Sequence, residues 1–159
     1  SMLTLISAMA VSKAIYEMIK DCNVYPFIKW PNDIVLRGKK VCGILTEMFT
    51  KAGAIDYIII GIGVNVHNRD FPEEIAQTAT SIELEIGEGV SRERITELIW
   101  MQFERYYDIF METKDLSFLQ EEYQQMSEES AFRFPQPSNI YQSQVSSTDI
   151  RQYLSKVLC

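Results

Sequence analysis

Between Leu3 and Asp21 the apolar positions Leu5, Met9, Ile15, Met18 and Ile19 recur at helical spacing, with Ala8 and Ala14 between them, and predict a helix. Its small residues suit close packing against a sheet. Cys22-Asn23 ends it, and Tyr25-Pro26 opposes further helix because the residue before a proline avoids the α region. The pattern then shortens to strand-like runs. Phe27–Trp30 stops at the turn formers Pro31-Asn32-Asp33, Ile34–Leu36 resumes, Arg37–Lys40 turns, and Val41–Phe49 returns as a hairpin partner. After a second turn at Lys51–Ala54 comes Tyr57–Val66, apolar on both faces, which predicts a central strand covered on both sides.

Residues 67–89 read as loop, with a short helix over Pro72–Ala76 opened by Glu73 and Glu74. Ser91 is an N-cap for a helix whose stripe is Ile95, Leu98, Ile99, Phe103, Tyr106, Tyr107 and Phe110. Ser117 and Gln120 fit a capping box for a further helix reaching about Met126. Residues 127–159 lose this periodicity: they hold seven Ser, no Gly and the stretch FRFPQPSNIY. They read as an extended tail ending in a short helix over Ile150–Leu158, without the alternation of a second β domain. The expected fold is α+β: a mixed, largely antiparallel sheet with helices on one face, formed by residues 1–126, and a separate tail over 127–159.

Composition narrows the classes. At 159 residues, 47% hydrophobic and 23% charged, the chain suits one globular domain and excludes wholesale disorder or a coiled-coil array. No window reaches 18 uninterrupted apolar residues, and the first residues lack a basic n-region, so neither a membrane span nor a signal peptide is expected. A formal net charge of −7 argues against nucleic acid as a partner. Cys22, Cys42 and Cys159, with His67 the single histidine and no CxxC, give neither a disulfide framework nor a metal site. A cytoplasmic location with reduced thiols is the plain expectation.

Chemistry concentrates at two places. Lys29, at the end of an apolar strand beside Pro31-Asn32-Asp33, either holds its ammonium over a pocket for a carboxylate or phosphate, or snorkels from a sheet edge. Gly61 and Gly63 leave one face of a strand bare, which admits a flat ligand or a closely packed helix, and Asn65 shares that side. A dinucleotide fingerprint is excluded, since Val66 stands where the third glycine belongs and no helix begins there. Glu47 either pairs with Lys29 or faces water; His67 reads as a loop residue and Cys42 as a small buried hydrophobe.

The run K-W-P-N-D-I at 29–34, then G-K-K-V-C-G-I-L-T-E at 38–47 and I-G-I-G-V-N-V at 60–66, resembles the catalytic domain of the biotin–protein ligases, a class II synthetase-like fold. F-P-E-E-I at 71–75 and A-T-S-I at 79–82 follow in the same order, and the resemblance covers about residues 3–126. It implies ATP-dependent formation of biotinyl-5′-adenylate and transfer of the biotinyl group to a lysine of a carboxylase carrier domain. By position, Lys29 matches the lysine that meets the biotin carboxylate and the α-phosphate. Gly43, Ile44, Gly61 and Gly63 match positions that bind biotin and the adenylate, and Asn32, Asp33 and Asn65 match the nucleotide side. ATP and biotin are the implied substrates, with Mg²⁺ entering through ATP.

Two features depart from the family. Its Gly- and Arg-rich loop precedes the lysine motif, whereas the 28 residues before Lys29 contain no Arg. Its C-terminal SH3-like domain has no counterpart in 127–159. The chain therefore reads as a catalytic-domain fragment, incomplete at its N-terminal side and inactive by itself. The sheet surface near 27–36 is left open as a route to a homodimer. A lipoate–protein ligase-like enzyme and a non-catalytic binding or folding fragment stand as the alternatives.

Overall fold

A computed structural model describes residues 2–87 and 89–127. Helix α1 (Met2–Ile19) is apolar on all sides, and Leu5, Ile6, Met9, Val11 and Ile15 are wholly buried along with Ala8, Ala10 and Ala14. A helix of that kind belongs in an interior. It lies against all four strands of the sheet and against the long helix α3 (Arg92–Thr113). By length and composition Met2–Cys22 could cross a membrane, but 72% of its most apolar window is buried inside the fold, as in a core helix.

The strands β1 (Pro26–Lys29), β2 (Asp33–Leu36), β3 (Lys39–Lys51) and β4 (Ala54–Val64) form one sheet in sequence order, every neighbouring pair antiparallel. Both long hairpins close through two residues. Arg37 and Gly38 have φ of 49° and 77°, and Ala52 and Gly53 have 51° and 80°, a mirror-image turn whose twist matches that of the strands. These tight turns extend β3 by two residues at each end beyond the expected Val41–Phe49.

Strand β4 corrects an expectation. It pairs only with β3 among the described residues and so takes an outer position, and of its isoleucines only Ile60 is fully buried. Nor is it covered on both sides as expected, since the side bearing Gly61 and Gly63 stays open: an apolar run reports neither cover nor edge neighbours by itself. The open edge expected near 27–36 is confined to β1, the outer strand of the sheet. β2 is paired on both sides, and Ser127 bridges Ile28 on the outer side of β1.

No helix forms over Pro72–Ala76. The Pro72 carbonyl accepts from the N–H groups of Ile75 and Ala76 at 3.0 and 2.9 Å, which closes turns that do not propagate. The helix in this region is instead α2 (Ile82–Ile86), capped by Ser81, whose Oγ accepts from the Leu84 N–H at 3.2 Å. The Ser91 cap of α3 forms as predicted, accepting from Arg94 N–H at 3.1 Å, and the predicted stripe is buried from Ile95 to Tyr107, with Phe110 partly so. The Ser117–Gln120 box does not form. Asp115 captures both the N–H and the hydroxyl of Ser117, at 2.9 and 2.6 Å, so a 3-10 turn over Ser117–Leu119 leads into α4 (Gln120–Met126). The expected tail beyond Ser127, with its helix over Ile150–Leu158, lies outside the described residues.

Ile34, wholly buried on β2, gauges the core. Ile34→Ala should cost about 2–5 kcal/mol in urea unfolding, through lost burial and the cavity left behind. A variant as stable as the parent would contradict this packing.

Candidate functional site

The register of the sheet gathers the motifs. Lys29 lies opposite Asp33, Asp33 opposite Gly43, and Gly43 opposite Gly63, so one row crosses all four strands. Directly opposed residues share a face of a sheet. The adjacent row, Ile28, Ile34, Cys42 and Val64, turns toward the helices, and its first three members are buried. The motif row therefore lies on the opposite, open face. Leu45 and Gly61 form the next pair on that face, and Leu45 is 62% exposed. With strands about 4.8 Å apart the row is roughly 14 Å long.

A shallow groove of about 520 Å³ overlies the Gly43–Gly63 half of the row, lined by Asn32, Lys40, Gly43, Leu45, Gly61 and Gly63 together with Ile44 and Ile62, and Lys29 and Asp33 lie outside its lining. A Cβ added at Gly61 or Gly63 would meet nothing closer than 3.9 Å, so packing among the described residues does not require either glycine. Gly43 differs. A Cβ there would stand 3.0 Å from Lys40 Cε and 3.1 Å from its Nζ, because the Lys40 side chain runs across this position.

The turn before β2 is tied down by Asn32. Its Nδ2 donates to the Ile44 carbonyl at 2.8 Å, and its own carbonyl accepts from the Ile44 N–H at 2.9 Å. Asn32→Ala should lower stability by about 0.5–1.5 kcal/mol, the net worth of one hydrogen bond, in thermal unfolding. An unchanged melting temperature would show that the clamp does not matter. Asp33 meets Lys40, with Nζ 2.7 Å from Oδ1. Lys29 is exposed at the β1 end of the row. The Ile44 side chain is buried in the core, so this residue presents its backbone to the Asn32 turn. Asn65 lies just past β4 and outside the groove lining. Its Nδ2 donates to the Thr80 carbonyl at 3.1 Å and its N–H to the Val41 carbonyl at 2.8 Å, tying β3 to the approach of α2.

The other candidates fall into structural roles. Glu47 is exposed and makes no ion pair with Lys29. The His67 ring donates through Nε2 to the Val90 carbonyl at 2.6 Å. Burial, with the Asp33 carboxylate adding to it, pushes the Cys42 thiol up to about 12, so it is protonated and unreactive at neutral pH. Lys40 is the site residue that sequence reasoning missed, since it was placed in the turn before the strand. A second, apolar groove of about 430 Å³ runs between β4 and α3, bounded by Val64, Ile95, Ile99 and Phe103.

The fold is thus an antiparallel α+β sheet backed by helices, with a lysine, an aspartate and two glycines aligned on its open face. Residues 1–65 match the model of the biotin/lipoate A/B protein ligase family. The chain is 41% identical over 111 residues to the bifunctional ligase/repressor BirA of Bacillus subtilis, covering 69% of this chain and 33% of that protein. It is 35% identical over 82 residues to the biotin–[acetyl-CoA-carboxylase] ligase of Paracoccus denitrificans, covering 50% of this chain and 34% of that one. In fold it matches the biotin protein ligase of Aquifex aeolicus, solved with biotin and ATP, with a TM-score of 0.70 and 28% identity over 79% of this chain and 50% of that one. Sequence and fold thus agree on the resemblance to the biotin protein ligases. The chain spans about a third of the length of the curated relatives it matches.

Proposed function

We propose that this chain supplies the lysine-and-glycine face of a biotin–protein ligase site. The observation that carries the reading is the single row Lys29–Asp33–Gly43–Gly63 on the open face of the sheet. In the first reaction a carboxylate oxygen of biotin attacks the α-phosphorus of ATP, the bond to the bridging oxygen breaks, and pyrophosphate leaves. Negative charge builds on the phosphoryl oxygens, and the Lys29 ammonium offsets it. The bare edges of Gly61 and Gly63 let the ligand lie against the backbone of β4. In the second reaction a lysine amine of a carboxylase carrier domain attacks the biotinyl carbonyl and AMP departs. Mg²⁺ would arrive on the triphosphate with its own waters. Cytoplasmic carboxylases are the matching acceptors.

The test uses a full-length ligase carrying this segment, such as the Bacillus subtilis relative with its matched 111 residues exchanged for those of this chain. Such a protein should attach labelled biotin to a carrier domain in the presence of ATP. Attachment of lipoate instead, or of neither, would reject the reading.

A further inference from the structure

Lys40 reaches the open face by a local break in the sheet. Asp33 pairs with Gly43 and Ile34 with Cys42, but Val35 then pairs with Lys40, so Val41 is an extra residue in β3. Alternation from Gly43 would place Lys40 on the core side with Cys42 and Ile44. The extra residue resets it: Val41 and Cys42 are both buried, and Lys40 comes out on the open face. Bulges re-aim side chains in this way and concentrate beside active sites. The lysine then crosses Gly43, the one groove glycine whose missing Cβ is needed by a neighbour, and ends 2.7 Å from Asp33. Its side chain is about half exposed, at 49%, so the pair is weak and exchangeable.

We infer that Lys40 is a second phosphate-binding cation of the groove, parked on Asp33 when the groove is empty and transferred to a phosphate oxygen of the nucleotide when it is filled. The inference rests on the biotin–protein ligase reading for the identity of the nucleotide. A ligand that lies against Gly43 must displace the Lys40 side chain, and a phosphate gives the ammonium a more highly charged partner than the Asp33 carboxylate, whose side chain is 27% exposed. A neutral ligand would displace it without that gain. Lys40 therefore favours ATP over nucleosides.

The experiment compares parent and Lys40→Met in the full-length ligase described above, measuring dissociation constants for ATP and adenosine by calorimetry alongside biotin-dependent ATP–pyrophosphate exchange. Lys40→Met should weaken ATP by about tenfold or more, the loss of one charge-assisted hydrogen bond. Adenosine should bind no more weakly than to the parent, and Lys40→Arg, which keeps the charge, should retain the affinity for ATP. Equal affinity for ATP in parent and Lys40→Met, a parallel loss for adenosine, or no ATP binding by the parent overturns the inference. The exchange assay separates the two claims. Exchange by the parent with unaltered ATP binding in Lys40→Met leaves the ligase reading standing alone, whereas weakened ATP binding without exchange by the parent leaves only the phosphate role.

Discussion

Lys29→Ala, in a full-length ligase carrying this segment, should lower biotin-dependent ATP–pyrophosphate exchange by about two to three orders of magnitude, as when a preorganised charge contact to a developing anion is removed. Stability should change little. The side chain is exposed at the end of β1 and the backbone pairing with Asp33 does not depend on it. A snorkelling edge lysine would behave differently, with both exchange and stability near the parent values. Exchange by Lys29→Ala within a few-fold of the parent would therefore remove this residue from the chemistry.

The second large effect is expected at Gly63. A side chain here has room within the fold, since the nearest atom to an added Cβ is the Gly43 carbonyl oxygen at 3.9 Å. Valine also favours extended backbone, so Gly63→Val should leave the melting temperature unchanged or slightly raised. The two added methyl groups project into the groove, where they would hold a ligand off the strand. Affinity for biotinyl-5′-adenylate should fall by about a hundredfold or more, the scale set by steric exclusion from a close backbone contact. If melting collapses while the remaining folded protein binds normally, the glycine serves packing and not ligand.

The membership of the row was legible in the sequence, while its geometry was not. K-W-P-N-D and G-I-G-V-N marked the strand ends by a lysine before a turn and by two glycines at a spacing of two, both local signals. The alignment of Lys29 with Gly63 is set by three successive registers and is not written in any one segment. Lys40 escaped for a sharper reason. A two-residue turn at Arg37-Gly38 put it inside β3, and the extra residue Val41 then reversed its face. Neither event leaves a periodic trace. The outer position of β4 was missed because an apolar run reports neither cover nor edge neighbours by itself. Alternation along β4 places Asn65 beside the glycines, either to meet a ligand or to end the strand; the strand ends at Val64, and the Asn65 side chain donates to the Thr80 carbonyl. The Ser81 cap of α2 was visible in A-T-S-I yet outweighed by the more familiar proline-and-acid start at Pro72.

The central claim is that the ligand lies along the open-face row and not in the apolar groove between β4 and α3. Amide chemical shifts of the isotope-labelled full-length ligase, recorded with and without biotinyl-5′-adenylate, test it directly. The largest changes should fall at Lys29, Asp33, Gly43, Gly61 and Gly63. Changes centred instead on Ile95, Ile99 and Phe103, with the row undisturbed, would contradict it.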